Sequence, residues 1–162
     1  MNQHTVSLLV NNKPGVLLRV ALIFSRRAFN IESLVVSSAM DGRFSRMTIT
    51  ATGDDAMLTE VVKQASNLID VVHASEHFDS DSVEKELAFI KVKLENNNRT
   101  EVLQVVDNFK AETVDLTQDS LIVQVTGRTD KINAMIELLS HFQILEIVRT
   151  GKVVMLRGAS ET

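Results

Sequence analysis

Val6-Ser7-Leu8-Leu9-Val10-Asn11-Asn12-Lys13-Pro14-Gly15-Val16-Leu17-Leu18-Arg19-Val20 decides how the rest of the chain is read. An apolar run rich in β-branched residues reaches a polar turn, and a Pro-Gly pair then opens a second apolar run at helical spacing. Pro14 fixes φ, and Gly15 lets the backbone approach whatever lies above the turn. The first helical turn leaves N–H groups unpaired, a ready site for a carboxylate, while Asn12 brings an amide to the strand end. Backbone donors, an amide carbonyl and small apolar walls suit an amino-acid ligand. Taken alone, however, a Pro-Gly pair between strand and helix is more often no more than a turn.

Working outward, Thr5 to Val10 is predicted as a strand and Gly15 to Arg27 as a helix. Val16, Leu17, Val20, Ile23 and Phe24 lie on its apolar face. A strand over Ile31 to Ser38 follows, then a turn at Met40-Asp41-Gly42-Arg43 and a strand over Phe44 to Thr52. Asp-Gly between two β-rich runs is a strong hairpin signal. Asp54 is placed to cap a helix carrying Met57, Leu58, Val61, Val62 and Ala65, and Leu68 to Ala74 reads as a further strand. The order βαββαβ is that of a ferredoxin-like α+β unit.

The polar, acidic stretch Asp79-Ser80-Asp81-Ser82-Val83-Glu84-Lys85-Glu86 reads as a linker, giving a first domain over 1–77, a connector over 78–86 and a second domain over 87–162. The second half repeats the pattern. It has a strand over Leu87 to Leu94, a turn at Asn96-Asn97-Asn98 and a helix over Arg99 to Phe109. Strands at Glu112 to Thr117 and Leu121 to Gly127, a helix over Asp130 to Phe142, and strands at Leu145 to Arg149 and Val153 to Leu156 complete it. The place matching the Asn12–Leu17 turn holds three asparagines, an arginine and a threonine, so the halves share topology and differ in role.

At 162 residues, 44% apolar content and a net charge of −4, the composition is that of a globular protein without a global field toward nucleic acid or anionic membrane. The absence of cysteine excludes disulfides, thiolate metal sites and cysteine nucleophiles. No apolar run approaches the roughly 20 residues of a membrane span, the start has no signal-peptide pattern, and a cytoplasmic location is expected. His4, His73, His77 and His141 are scattered, and no metal site is expected. Ser7, Ser25, Ser33 and Ser45 lack a nucleophile elbow, and no Gly-rich phosphate loop occurs, so no catalytic site is expected in this chain. An RNA platform would need exposed aromatics on the central strands, and only Phe44 and Phe89 are available. Arg43-Phe44-Ser45-Arg46 reads either as contacts to an acidic partner or carboxylate, or as solvent decoration at Arg43 with Arg46 paired to a nearby acid.

Three strings carry a family resemblance: Asn12-x-x-Gly15-x-Leu17, Asn30-Ile31-Glu32-Ser33-Leu34 and Ser45-Arg46-Met47-Thr48. Together they resemble the ACT domain of the small, regulatory subunits of acetolactate synthase (acetohydroxyacid synthase), and the likeness extends over nearly the whole chain. The resemblance implies a non-catalytic subunit that pairs as a homodimer through its ACT domains. It also implies activation of a large catalytic subunit, dependent on thiamine diphosphate, Mg2+ and FAD held in that subunit, and feedback inhibition by L-valine or a related branched-chain amino acid. Carried over, the effector contacts are Asn12, Gly15, Val16 and Leu17 from one protomer, with Asn30 and Ile31 from the facing one. The competing expectations are an amino-acid-sensing ACT-type regulator of a different partner, such as a transcription regulator, and a stand-alone ACT enzyme or carrier. The first would need a basic DNA-binding helix pair; the second would need a catalytic constellation. Neither is found in the sequence.

Overall fold

A computed structural model describes residues 2–95 and 97–162. Residues 2–84 with 151–162 form one compact unit and residues 85–150 a second.

In the first unit, strand β1 (Asn2–Asn11) leads to helix α1 (Val16–Arg26), β2 (Asn30–Ser38), β3 (Phe44–Gly53), helix α2 (Asp55–Ser66) and β4 (Val71–His77). The antiparallel sheet has the order β2-β3-β1-β4, the arrangement expected of a βαββαβ unit. Alternation along β1 and β3 puts Val6, Leu8, Val10, Met47, Ile49 and Ala51 on one face, where they bury against Val16, Val20, Phe24, Leu58 and Val61 of the helices. Phe24 and Phe29 meet edge to face in this core, their ring centroids 6.2 Å apart. Asp54 caps α2, its side chain accepting from the Ala56 N–H at 2.9 Å.

The other face of this sheet carries hydroxyls. Thr5, Ser7, Thr48 and Thr50 alternate with the core residues and are buried as well. Residues 151–162 approach this face. Gly151, at φ +83°, sits against Ser33 and Val35, Lys152 pairs with the buried Glu84 at 3.3 Å, and Arg46 donates to the main-chain carbonyl of Thr162.

The second unit follows the same logic. It is built from β5 (Ser82–Lys93), which belongs to this unit from Lys85 on, α3 (Arg99–Asn108), β6 (Glu112–Leu116), β7 (Ser120–Gly127), α4 (Thr129–Leu139) and β8 (Ile144–Arg149), with strand order β6-β7-β5-β8. Ala88, Ile90, Val92, Leu121, Val123 and Val125 pack against Val102, Val106, Ile132, Met135 and Leu139.

Three boundaries depart from the sequence reading. The strand expected over Leu68 to Ala74 begins only at Val71, because Leu68 to Asp70 form a turn closed by Val71 N–H donating to Leu68 C=O at 3.0 Å. The connector expected over 78–86 is strand from Ser82 onward: its acidic residues alternate, with Ser82, Glu84 and Glu86 turned inward and exposed residues between them. Glu84 meets Lys152, and Glu86 meets Arg149 at 2.5 Å, so their charges are paired rather than solvated. Finally, the short strand β9 (Val153–Leu156), expected in the second domain, groups with the first. The turn read at Asn96-Asn97-Asn98 lies in part outside the described residues, at Asn96.

Candidate effector-binding site

The turn after β1 is held from both sides. Asn12 N–H donates to the Arg43 carbonyl at 2.8 Å, and its side-chain amide donates to the Gly42 carbonyl at 3.2 Å. Strand end and β2–β3 hairpin are thereby joined, and the Asn12 side-chain oxygen is left to accept from a ligand. Gly15 is the N-cap of α1 at φ +84°, a left-handed conformation that glycine adopts without the clash a side chain would bring. No side-chain oxygen caps this helix and its first turn holds no acidic residue, so its starting N–H groups and positive dipole end are not neutralised from within.

These groups border a cleft of about 270 Å³ in which Val10, Val16, Leu17, Val36 and Met47 form the apolar walls and Asn12 and Gly15 the polar edge. Drug-sized ligands occupy pockets of about 300–1,000 Å³, so this volume suits a smaller molecule. Val16 and Met47 are buried, whereas Leu17 and Val36 are partly open to solvent. Sequence reasoning placed Asn12, Gly15, Val16 and Leu17 here, and the structure brings these four together.

Asn30 and Ile31 are elsewhere. Asn30 pairs with Thr52 and Ile31 with Ala51, at the end of the sheet where β1 begins. Asn12 follows the opposite end, where Asn11 pairs with Phe44. The eight steps of β3 between those registers span about 25 Å. One chain therefore cannot bring Asn30 to the Gly15 cleft.

Val10, Val36 and Met47 were not singled out as ligand neighbours from sequence. The even spacing of Val10 from Leu8 and of Met47 from Ile49 signals the core face, but only the fold shows that this face opens at the turn. Asp70 was missed too. It is buried beside the turn, where it accepts from Asn11 Nδ2 at 3.2 Å, ion-pairs with Arg19 and lies 3.7 Å from Lys13 Nζ.

Other clusters lead to no comparable site. Ser7 Oγ and His77 Nε2 lie 2.5 Å apart, a spacing a nucleophile and base would need. Both are buried, His77 Nδ1 has no orienting partner, and Ser7 is 1% exposed, so a substrate does not reach the hydroxyl. Burial pushes the His77 imidazole below its ordinary value, with Arg46 adding to the effect and Asp81 and Glu84 opposing it. Around a polar recess of about 500 Å³, Lys152 is paired with Glu84, and His4 lies 3.2 Å from Glu76 and 3.1 Å from Asp55. A third hollow, about 380 Å³ on the second unit's sheet, is apolar, with Phe89, Val114, Ile122 and Val148 beside the Lys91–Glu146 pair. Arg43 is exposed and chelates Asp41, holding that carboxyl below its ordinary value, while Arg46 reaches the Thr162 carbonyl rather than an acidic side chain. No group of three or more His, Asp or Glu placed to hold a metal ion occurs among the described residues.

Residues 6–73 match the family described as the AHAS small subunit-like ACT domain, and residues 85–158 match the small subunit of acetolactate synthase. A probable acetolactate synthase small subunit of Archaeoglobus fulgidus is 47% identical over 156 residues, covering 96% of this chain and 98% of the relative. The acetolactate synthase small subunit of Mycobacterium bovis is 44% identical over 155 residues, covering 96% and 92%. Among solved structures, the acetolactate synthase small subunit of Thermotoga maritima superposes with a TM-score of 0.87 at 38% identity, covering 99% of this chain and all of that one.

Proposed function

The chain belongs to the family of acetolactate synthase small subunits, and from that membership we propose that its Gly15 cleft binds L-valine or a related branched-chain amino acid as a feedback effector. The observation that carries the reading is the uncapped start of α1 at Gly15, opening on an apolar cleft of amino-acid size. The effector carboxylate lies against the N–H groups from Gly15 to Leu17. Its ammonium reaches the side-chain oxygen of Asn12, and its side chain lies toward Met47 and Val36.

The remote position of Asn30 supports a site shared between two copies. β2 is an edge strand, and Val36 on it borders the cleft. If two β2 edges run antiparallel about a twofold axis near Leu34, Asn30 of one copy falls beside Ser38 of the other, next to the Asn12 turn. Leu18 and Leu22 on the outer side of α1 are exposed in the single chain and supply apolar surface for the same pairing.

The partner is the large catalytic subunit, which holds thiamine diphosphate, Mg2+ and FAD; this chain holds none of them. The small subunit raises the activity of that partner. Effector bound between two ACT domains favours one arrangement of the pair, and inhibition follows when that arrangement couples less productively to the catalytic subunit.

Calorimetric titration of the full chain with L-valine tests the reading, with leucine, isoleucine and D-valine in parallel and the catalytic subunit present in a second series. Saturable binding of the L-enantiomer that is lost in Asn12→Ala is expected. Absence of binding in both series refutes it.

A further inference from the structure

From the contacts of Asp70 we infer that this buried carboxylate is a positioning residue for the effector site: it ties the end of β1 to α1 across the turn and so holds Asn12 and Gly15 in their binding arrangement. The inference rests on the effector site proposed above and adds a residue that would not touch the ligand.

Asp70 is 8% exposed and lies outside the regular part of β4. The pairing of β1 with β4 slips at Leu9/Val10, Leu9 facing His73 while Val10 faces Val71, so Val72 is skipped. That irregularity carries Asp70 level with Asn11, and the Asn11 N–H donates to the Asp70 carbonyl at 2.8 Å. The side chain then reaches both flanks of the turn. Oδ1 accepts from Asn11 Nδ2 before the turn and lies 3.7 Å from Lys13 Nζ within it. Oδ2 accepts from Arg19 Nη2, on α1 one helical turn beyond Gly15.

Solvent exposure separates a positioning role from a purely structural one. The Arg19 and Lys13 side chains are 49% and 66% exposed, so neither cation needs Asp70 to escape burial. Removing the carboxylate charge returns both to water and leaves the apolar core untouched, while the turn loses its common anchor. The loss then falls on the ordering of the binding groups, which a ligand must restore when it binds. Asp70 also engages Arg19 and lies near Lys13, while Asp41 holds Arg43, leaving the effector carboxylate to the helix N–H groups.

The test is effector titration of the full chain, alone and with the catalytic subunit, for Asp70→Asn, Arg19→Gln and the double variant. Asp70→Asn keeps the shape and removes the charge, and its L-valine Kd is expected to rise about tenfold. Arg19→Gln cuts the other end of the tie and should act in the same direction. Because both act on one interaction, the double variant is expected to be no weaker than the weaker single one. The wild-type Kd should also rise with salt, in part because Arg19, 49% exposed, is screened from Asp70, and that dependence should be shallower in Asp70→Asn, where only the pull of the helix start on the effector carboxylate remains to be screened.

Wild-type affinity in Asp70→Asn overturns the inference and leaves the effector site standing. So does a drop in the number of sites at unchanged Kd, the signature of partial unfolding, or strictly additive effects in the double variant. If the wild type binds no branched-chain amino acid in either series, the proposed function itself fails, and the inference falls with it.

Discussion

Gly15 offers a direct test of the proposed orientation, with an effector carboxylate at the start of α1. A Cβ built there meets nothing within 4 Å, so size carries no penalty, and the left-handed φ of +84° is the only backbone cost. Asn and Asp tolerate that region better than other L-residues, and the clash other side chains suffer there is about 1–2 kcal/mol. Against a domain stability of about 5–15 kcal/mol, both variants stay folded. Gly15→Asn and Gly15→Asp match in size and in their capacity to compete for the helix N–H groups, and they differ in one negative charge. Two unit charges about 4 Å apart repel by about 1 kcal/mol in water and about 4 kcal/mol at an effective dielectric of about 20. Gly15→Asp should therefore bind L-valine more weakly than Gly15→Asn by a factor between about five and several hundred. Stability should move the other way, because an acidic residue at a helix start is favourable by about 0.3–1 kcal/mol. Calorimetry at low and high salt reads the first effect, with the gap narrowing as salt rises, and thermal unfolding reads the second. Equal affinities for the two variants would mean that no carboxylate sits at the start of α1, and the proposed orientation would be abandoned.

Gly151→Ala should destabilise the chain by about 2–5 kcal/mol, since it combines a left-handed φ with a Cβ 2.6 Å from that of Ser33. Urea unfolding measures the loss, and Ser33→Gly in the same chain should recover only the steric share. His77 is depressed below its unfolded value of about 6.5, so the unfolded chain takes up the proton first as pH falls. Its contribution to stability is present above pH about 6.5 and is lost as pH falls toward the depressed value, and His77→Gln should flatten the part of the unfolding profile that lies below pH about 6.5.

The βαββαβ order and the core face of each strand were legible because apolar residues alternate with period two in β1 and β3 and recur at helical spacing in α1. Asp54 declared itself as a cap, and Asp41-Gly42 as a hairpin. Sequence failed where polar residues are buried. Ser82, Glu84 and Glu86 look like solvated linker; Ser82 donates to the nearby Phe78 carbonyl, but it takes the distant Lys152 and Arg149 to explain how a strand absorbs the two glutamates. Asp70 fell inside an expected strand, and its role depends on a slip in the β1–β4 register that no periodicity announces. Four candidate effector residues meet at one turn, while Asn30 and Ile31 belong to the far end of the sheet. The local motif could be read from spacing, whereas the assignment of Asn30 and Ile31 to a facing protomer rests on the family resemblance, because no periodicity encodes a symmetry operation.

The hydroxyl-bearing second face of the first sheet has a consequence for how this subunit tolerates handling. Thr5, Ser7, Thr48 and Thr50 carry hydroxyls that water can satisfy once the face is uncovered, Thr50 Oγ1 above all because it has no partner when covered, unlike the valines and isoleucines behind them. Peeling residues 151–162 away would wet a polar plane instead of baring a sticky one. A chain shortened before Gly151 is thus expected to lose rigidity before it loses solubility, a favourable starting point for grafting another module at that junction.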